Sequence, residues 1–167
     1  MRAMKLNPRP AIPPAIRDRY EHIYSNAKGE FFATHHTPFS FSHAGMVFIY
    51  GLHPQTGRER FMGEGIIFFD QEKHAIVIHQ ARKEQSQIQL LEDRARIRGT
   101  RGIQLFRPIL DYAIASAKKN GIHKITLGCN PKLKEYYEKF GFKVVDFIYA
   151  HENTGVIVGY TMELSIP

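Results

Sequence analysis

Three runs in the first half of the chain carry the dense β-branched and aromatic content of strands: Met46 to Gly51, Arg60 to Phe69 and Ala75 to His79. A fourth, Gln87 to Leu91, follows. The links His53 to Gly57 and Asp70 to Lys73 are short and turn-like, so the four runs predict an antiparallel meander. The pattern then changes period. Phe106, Ile109, Leu110, Ala113, Ile114 and Ala117 recur at three and four residues, which predicts an amphipathic helix closing at Lys118 to Gly121. Its apolar stripe needs a sheet to cover.

A further strand is expected at His123 to Gly128, and its helical connection implies parallel pairing with, or a local splay from, the strand before the helix. Asn130 and Pro131 supply an N-cap and a first helical residue. Leu133, Tyr136, Tyr137 and Phe140 give the short helix that follows an apolar face, and Gly141 ends it. Phe142 to Tyr149 and Val156 to Leu164 predict a terminal hairpin.

The N-terminal part is less regular. Residues 1–14 are rich in proline and predict an extended arm, leaving 15–167 as one domain. Ile16, Tyr20, Ile23 and Tyr24 fall at helical spacing, which predicts a first helix over Ala15 to Lys28 with Gly29 as its stop. Phe31 to Gly45 has no clear period and is compatible with a short helix or a loop.

Composition narrows the class without naming it. At 167 residues, 43% hydrophobic and 23% charged, the chain is long enough for a continuous core without disulfides. It has no apolar run of the ~20 residues that a membrane-spanning helix needs, and its first residues lack a signal peptide's apolar segment, so the expected location is cytoplasmic. The lone Cys129 fits a reducing compartment. His35, His36 and His43 show no metal-ligand spacing, so no metal is expected.

A net charge of +7 favours anionic partners, and its distribution is uneven: Arg94, Arg96, Arg98, Arg101 and Arg107 lie within fourteen residues. This basic stretch contains Gly99 and Gly102 and leads into the long helix. Unpaired amide N–H groups and the positive end of a helix dipole converge at such a turn, which makes it a phosphate cradle and points to a phosphorylated cofactor.

The order of meander, basic Gly turn, long helix, strand, short helix and hairpin, from about Met46 to Leu164, resembles the GNAT superfamily of acyl-CoA-dependent N-acyltransferases. The segment His123 to Phe142, with Tyr137-Glu-Lys-Phe-Gly-Phe142 at its end, is similar to the family's fifth strand and fourth helix, particularly those of glucosamine-6-phosphate N-acetyltransferases. The turn Arg96 to Gly102 approximates the family's Gln/Arg-x-x-Gly-x-Gly/Ala with one extra residue before its second glycine. The resemblance implies an α/β (α+β) fold with a mixed, mostly antiparallel sheet of about seven strands flanked by helices and splayed between its fourth and fifth strands.

It also implies a cofactor, acetyl-CoA or another acyl-CoA. Gly99, Thr100, Arg101, Gly102 and Ile103 would present backbone N–H groups to the pyrophosphate, with Arg96, Arg98 and Arg101 adding charge. Backbone groups of the fourth strand, taken as Leu90, Leu91 and Glu92, would hold the pantetheine arm as an added strand. Pro108 lies inside the helix, so the helix is expected either to begin nearer Ile103 to Leu105 or to bend.

Acyl transfer to an amine needs a proton for the departing thiolate and a sink for the amine proton. Tyr137 matches the tyrosine that supplies the first in many members of the family; a half-buried packing aromatic is the plainer alternative. Glu92 is the candidate base, against a salt bridge to Arg94 or Arg96, with Glu64, His79 and water as rivals. Asn130 matches a position that often bonds the cofactor, and its capping duty explains it equally well.

The reading is therefore an N-acyltransferase, acetyl first, acting by direct attack on an unidentified amine. Its alternatives are a basic nucleic-acid-binding module on a degenerate GNAT scaffold, or a synthase of N-acyl amino acids or lipid signals. A homodimer is compatible with it.

Overall fold

The computed structural model describes residues 4–6, 12–83, 102–151 and 155–167, with 80–83 and 102–105 described by their backbone. Among the described residues nine strands form one sheet: β1 (Lys5–Leu6), β2 (His22–Ser25), β3 (Phe31–His36), β4 (Gly45–Leu52), β5 (Glu59–Asp70), β6 (Ala75–Lys83), β7 (Lys124–Cys129), β8 (Lys143–Tyr149) and β9 (Ile157–Ser165). Their order across the sheet is β1-β2-β3-β4-β5-β6-β7-β9-β8. Every neighbouring pair is antiparallel except β6 and β7. The helices are α1 (Pro14–Arg17), α2 (Gly102–Lys119) and α3 (Lys134–Glu138), the last preceded by a 3-10 turn at Pro131–Leu133.

The sheet is wider than expected because three segments read otherwise are strands, among them Lys5–Leu6 within the predicted arm. The helix predicted over Ala15 to Lys28 lasts only from Pro14 to Arg17, and His22–Ser25 pairs with β3 instead. Ile23 and Tyr24 explain the correction. Both are buried, Ile23 in a small cluster with Ile12, Ala33 and Leu52, Tyr24 in the main core, so adjacent residues need opposite faces, which a strand provides and a helix does not. Phe31–His36 is likewise a strand, so the antiparallel meander runs β1-β2-β3-β4-β5-β6 and begins three strands earlier than expected. The expected strand Gln87 to Leu91 lies outside the described residues.

Helix α2 covers the middle of one face. Its predicted stripe is buried at Phe106, Ile109, Leu110, Ala113 and Ala117, with Ile114 packed against the core's edge. Two strand glycines admit it closely: a Cβ on Gly65 would meet Ile109 side-chain atoms at 2.6–2.8 Å, and one on Gly45 would strike the Tyr112 hydroxyl. That hydroxyl donates to the Thr37 carbonyl. The helix starts at Gly102, earlier than the alternative near Ile103 to Leu105, and runs through Pro108, which leaves the Gln104 carbonyl without its i+4 partner. Gly121 closes it at φ 67°, with the Ile122 N–H returning to the Ala117 carbonyl at 2.9 Å. No helix among the described residues is long and apolar enough to cross a membrane.

Candidate active site

The sheet opens where β6 and β7 part. They pair in parallel only at Ile76–Ile125, Val77–Thr126 and Ile78–Leu127, although β6 continues to Lys83 and β7 to Cys129. The cause is local. In the β5–β6 ladder Ile67 faces Ile78 and Ile66 faces Gln80, so His79 is the extra residue of a bulge. A bulge bends its strand and increases twist. From His79 onward β6 follows β5, through Gly65–Ala81, Glu64–Arg82 and Gly63–Lys83, and leaves β7. The backbone on the β7 side of residues 79–83 then pairs with no strand among the described residues.

Helix α3 is anchored beside that opening. Asn130 follows β7 directly, and its side chain accepts a hydrogen bond from the Lys132 N–H at 2.9 Å, the capping role its sequence position allows. Gly141 stops the helix at φ 98°. The aromatic face packs around Phe106 near the start of α2, whose ring centroid lies 4.9 Å from Tyr137, 5.1 Å from Phe140, 6.0 Å from Tyr136 and 6.1 Å from Phe142. These edge-on contacts, some worth about 0.5–1.5 kcal/mol beyond area burial, hold Tyr137 in place.

Tyr137 is half-buried, and its hydroxyl makes no hydrogen bond to a described residue. Burial first, then the neighbouring Cys129 thiol, pushes its pKa up to about 12. The phenol is therefore protonated at neutral pH: it can donate a proton and cannot serve as a base. Cys129 is a buried packing residue whose Sγ lies 3.4 Å from Met162 Sδ, and burial raises its thiol, which removes it as a nucleophile. Lys134 pairs with Glu138 at 3.1 Å.

Other predicted site residues are distributed as follows. Gly102 and Ile103 form the first turn of α2, at the same end of the sheet as the opening. Leu90, Leu91, Glu92, Arg96, Arg98, Gly99, Thr100 and Arg101 lie outside the described residues. Of the rival bases, Glu64 occupies β5 between Phe48 and Arg82 in register, and His79 is the exposed bulge residue, its ring 5.7 Å from that of Phe68. The bulge at His79 and the departure of residues 79–83 from β7 were not legible in the sequence. With β1, β2 and β3 present, β6 is the sixth strand of the meander and the last described before α2.

The histidines of β3 serve a different place. His36 packs on Tyr112 of α2, beside a hollow of about 380 Å³ lined by both and by Glu21, Ser116 and Lys119. No cluster of His, Cys, Asp and Glu suited to a metal occurs among the described residues.

No protein-family model matches the chain, and no curated protein matches it by sequence. Solved structures do. Nourseothricin acetyltransferase is 13% identical with a TM-score of 0.50, over 75% of this chain and 67% of its own. The spermidine/spermine N-acetyltransferase of Vibrio cholerae is 13% identical with a TM-score of 0.50, over 74% and 66%. An acetyltransferase assigned to the GNAT family from Desulfovibrio desulfuricans is 13% identical with a TM-score of 0.50, over 74% and 69%. The chain thus spans about two thirds of the length of the structures it matches. By these likenesses the chain has the GNAT fold.

Proposed function

We propose that this protein is an acyl-CoA-dependent N-acyltransferase, with acetyl-CoA as its first candidate donor and an amine as acceptor. The observation that carries the reading is the pairing of an open strand edge at residues 79–83 with a protonated tyrosine, Tyr137, whose hydroxyl is uncommitted to any described residue. An open edge accepts an extended amide-bearing chain as it would a strand, and the pantetheine arm has that character. When bound, acyl-CoA supplies the activated acyl group.

The chain's own residues do the rest. Gly102 and Ile103 open α2 with amide N–H groups that have no partner within the helix, and the helix dipole favours negative charge there. The turn from Arg96 through Arg98, Gly99, Thr100 and Arg101 completes the proposed diphosphate cradle. The backbone of residues 79–83 takes the strand-pairing role earlier placed on Leu90, Leu91 and Glu92. Tyr137 donates its proton to the leaving sulfur. Glu92, Glu64, His79 or water accepts the amine proton. Asn130 positions α3 by capping the 3-10 turn that leads into it.

The matched structures carry names with different acceptors, so the acceptor does not transfer from them. Titration of the purified protein with acetyl-CoA and longer acyl-CoAs at moderate ionic strength is the direct test, followed by a thiol-release assay over a panel of amines. Saturable binding is expected. Failure of every acyl-CoA to saturate the protein would remove the reading.

A further inference from the structure

The hollow beside His36 lies away from the parting of the sheet. The last turn of α2 closes it on one side and the link from Thr37 to Phe39, just after β3, on the other. Lys119 in that last turn stands about 20 Å along the helix axis from Phe106, the ring on which Tyr137 packs. The proposed acyl transfer makes no use of this place.

Its walls are held in one frame. The Tyr112 hydroxyl donates to the Thr37 carbonyl, the Thr37 hydroxyl accepts from the Met46 N–H at 2.8 Å, and Asn120 Nδ2 donates to the Ser116 carbonyl at 2.8 Å. The hollow is therefore preformed, as small-molecule sites usually are. At about 380 Å³ it has room for about a dozen water molecules, or for a ligand of roughly ten non-hydrogen atoms.

What the frame leaves unpaired selects the ligand. Glu21 and Lys119 both line the hollow, yet neither side chain forms an ion pair or hydrogen bond with the other or with any further described residue. Asn120 donates to Ser116, and its Oδ1 accepts from no described residue. In the wall, His36 Nε2 is buried without a partner among the described residues, and native proteins leave few such atoms unbonded. Phe39, Ala115 and the Tyr112 ring make the rest of the wall apolar.

A plain anion placed here would meet Glu21, and a plain cation would meet Lys119. An uncharged body would cover both charges and pair neither. We propose that the hollow binds a small apolar α-amino acid as its zwitterion, with the ammonium toward Glu21 and Asn120 and the carboxylate toward Lys119. Burial lowers the His36 pKa to about 4, so the ring is neutral at pH 7 and brings no third charge to the site.

Calorimetric titration with L-leucine, of about the size the hollow admits, tests this without recourse to catalysis. Saturable binding with a Kd below about 1 mM is expected. 3-Methylbutylamine, which lacks the carboxylate, and 4-methylpentanoate, which lacks the ammonium, should each bind at least about fivefold more weakly. Glu21→Gln and Lys119→Gln, at exposed positions, should each weaken L-leucine by a similar factor with the wild-type urea midpoint retained. Ala115→Trp should fill the hollow and abolish binding, whereas Tyr137→Phe should leave the affinity unchanged, which separates this site from an acceptor bound at the parting of the sheet. Absence of saturable L-leucine binding up to about 10 mM would overturn the proposal. So would either single-charge analogue binding as tightly as L-leucine, or an affinity that the folded Glu21 and Lys119 variants both preserve.

Discussion

The Tyr24 hydroxyl donates a hydrogen bond to Asp111 Oδ2 at 2.8 Å, joining the second strand to the middle of α2 across 87 residues of chain. Asp111 also lies 3.7 Å from Arg107 on its own helix. Burial, and then this carboxylate, raises the Tyr24 pKa, so the phenol stays a donor at any ordinary pH. Tyr24→Phe keeps the ring and removes the donor to a charged acceptor. Because Arg107 still faces the carboxylate, the expected loss is about 1–2 kcal/mol, read as a lower urea midpoint at unchanged slope. An unaltered midpoint would show that the bond contributes nothing net.

Tyr137 allows a kinetic test of the proposed chemistry. Tyr137→Phe should lower turnover about 100-fold or more while the acyl-CoA KM changes less than about threefold, the signature of an interaction made in the transition state. Since the hydroxyl titrates at about 12, no loss of turnover from its ionisation is expected between about pH 7 and 10. Equal turnover in the two proteins would return Tyr137 to a packing role.

Gly65 sets how closely α2 approaches the sheet. Gly65→Ala places a methyl group against Ile109, with side-chain atoms at 2.6–2.8 Å, and should cost about 1–3 kcal/mol. Ile109→Ala in that background removes the opposing atoms, so the double variant should lose less stability than the sum of the two singles. Strict additivity in denaturant melts would count against this contact.

His36 links stability to pH. Burial lowers its pKa to about 4, helped by His22 and His35 and opposed by Glu21. Its folded pKa lies below the ordinary 6.5, so the unfolded chain binds the extra proton first and stability falls as pH drops from about 6.5 toward 4. The full shift corresponds to roughly 3 kcal/mol, and the ring's partial exposure reduces that to about 1–2 kcal/mol. His36→Gln should flatten this part of the profile, measured by urea melts at several pH values. An equally steep profile in the variant would place the titrating group elsewhere.

Several features were legible from the residues alone. The apolar stripe from Phe106 to Ala117, the stop at Gly121, the Asn130 cap, the Gly141 stop and the terminal hairpin all follow from contacts within a few residues or one turn of chain. The parting of the sheet was expected as well, but its place depends on His79 being left over when β5 and β6 align, which no single strand reveals.

The amino-acid sequence by itself determined the long helix, its stop and the tyrosine on its short helix, because periodicity, caps and turn glycines act over one or two turns of chain. Only the tertiary structure decided that His22–Ser25 and Phe31–His36 are strands, since Ile23 and Tyr24 satisfy helical spacing in isolation. Burial against two different clusters, one on each side of the sheet, is a long-range interaction, and it outweighed the few tenths of a kcal/mol per residue of local preference.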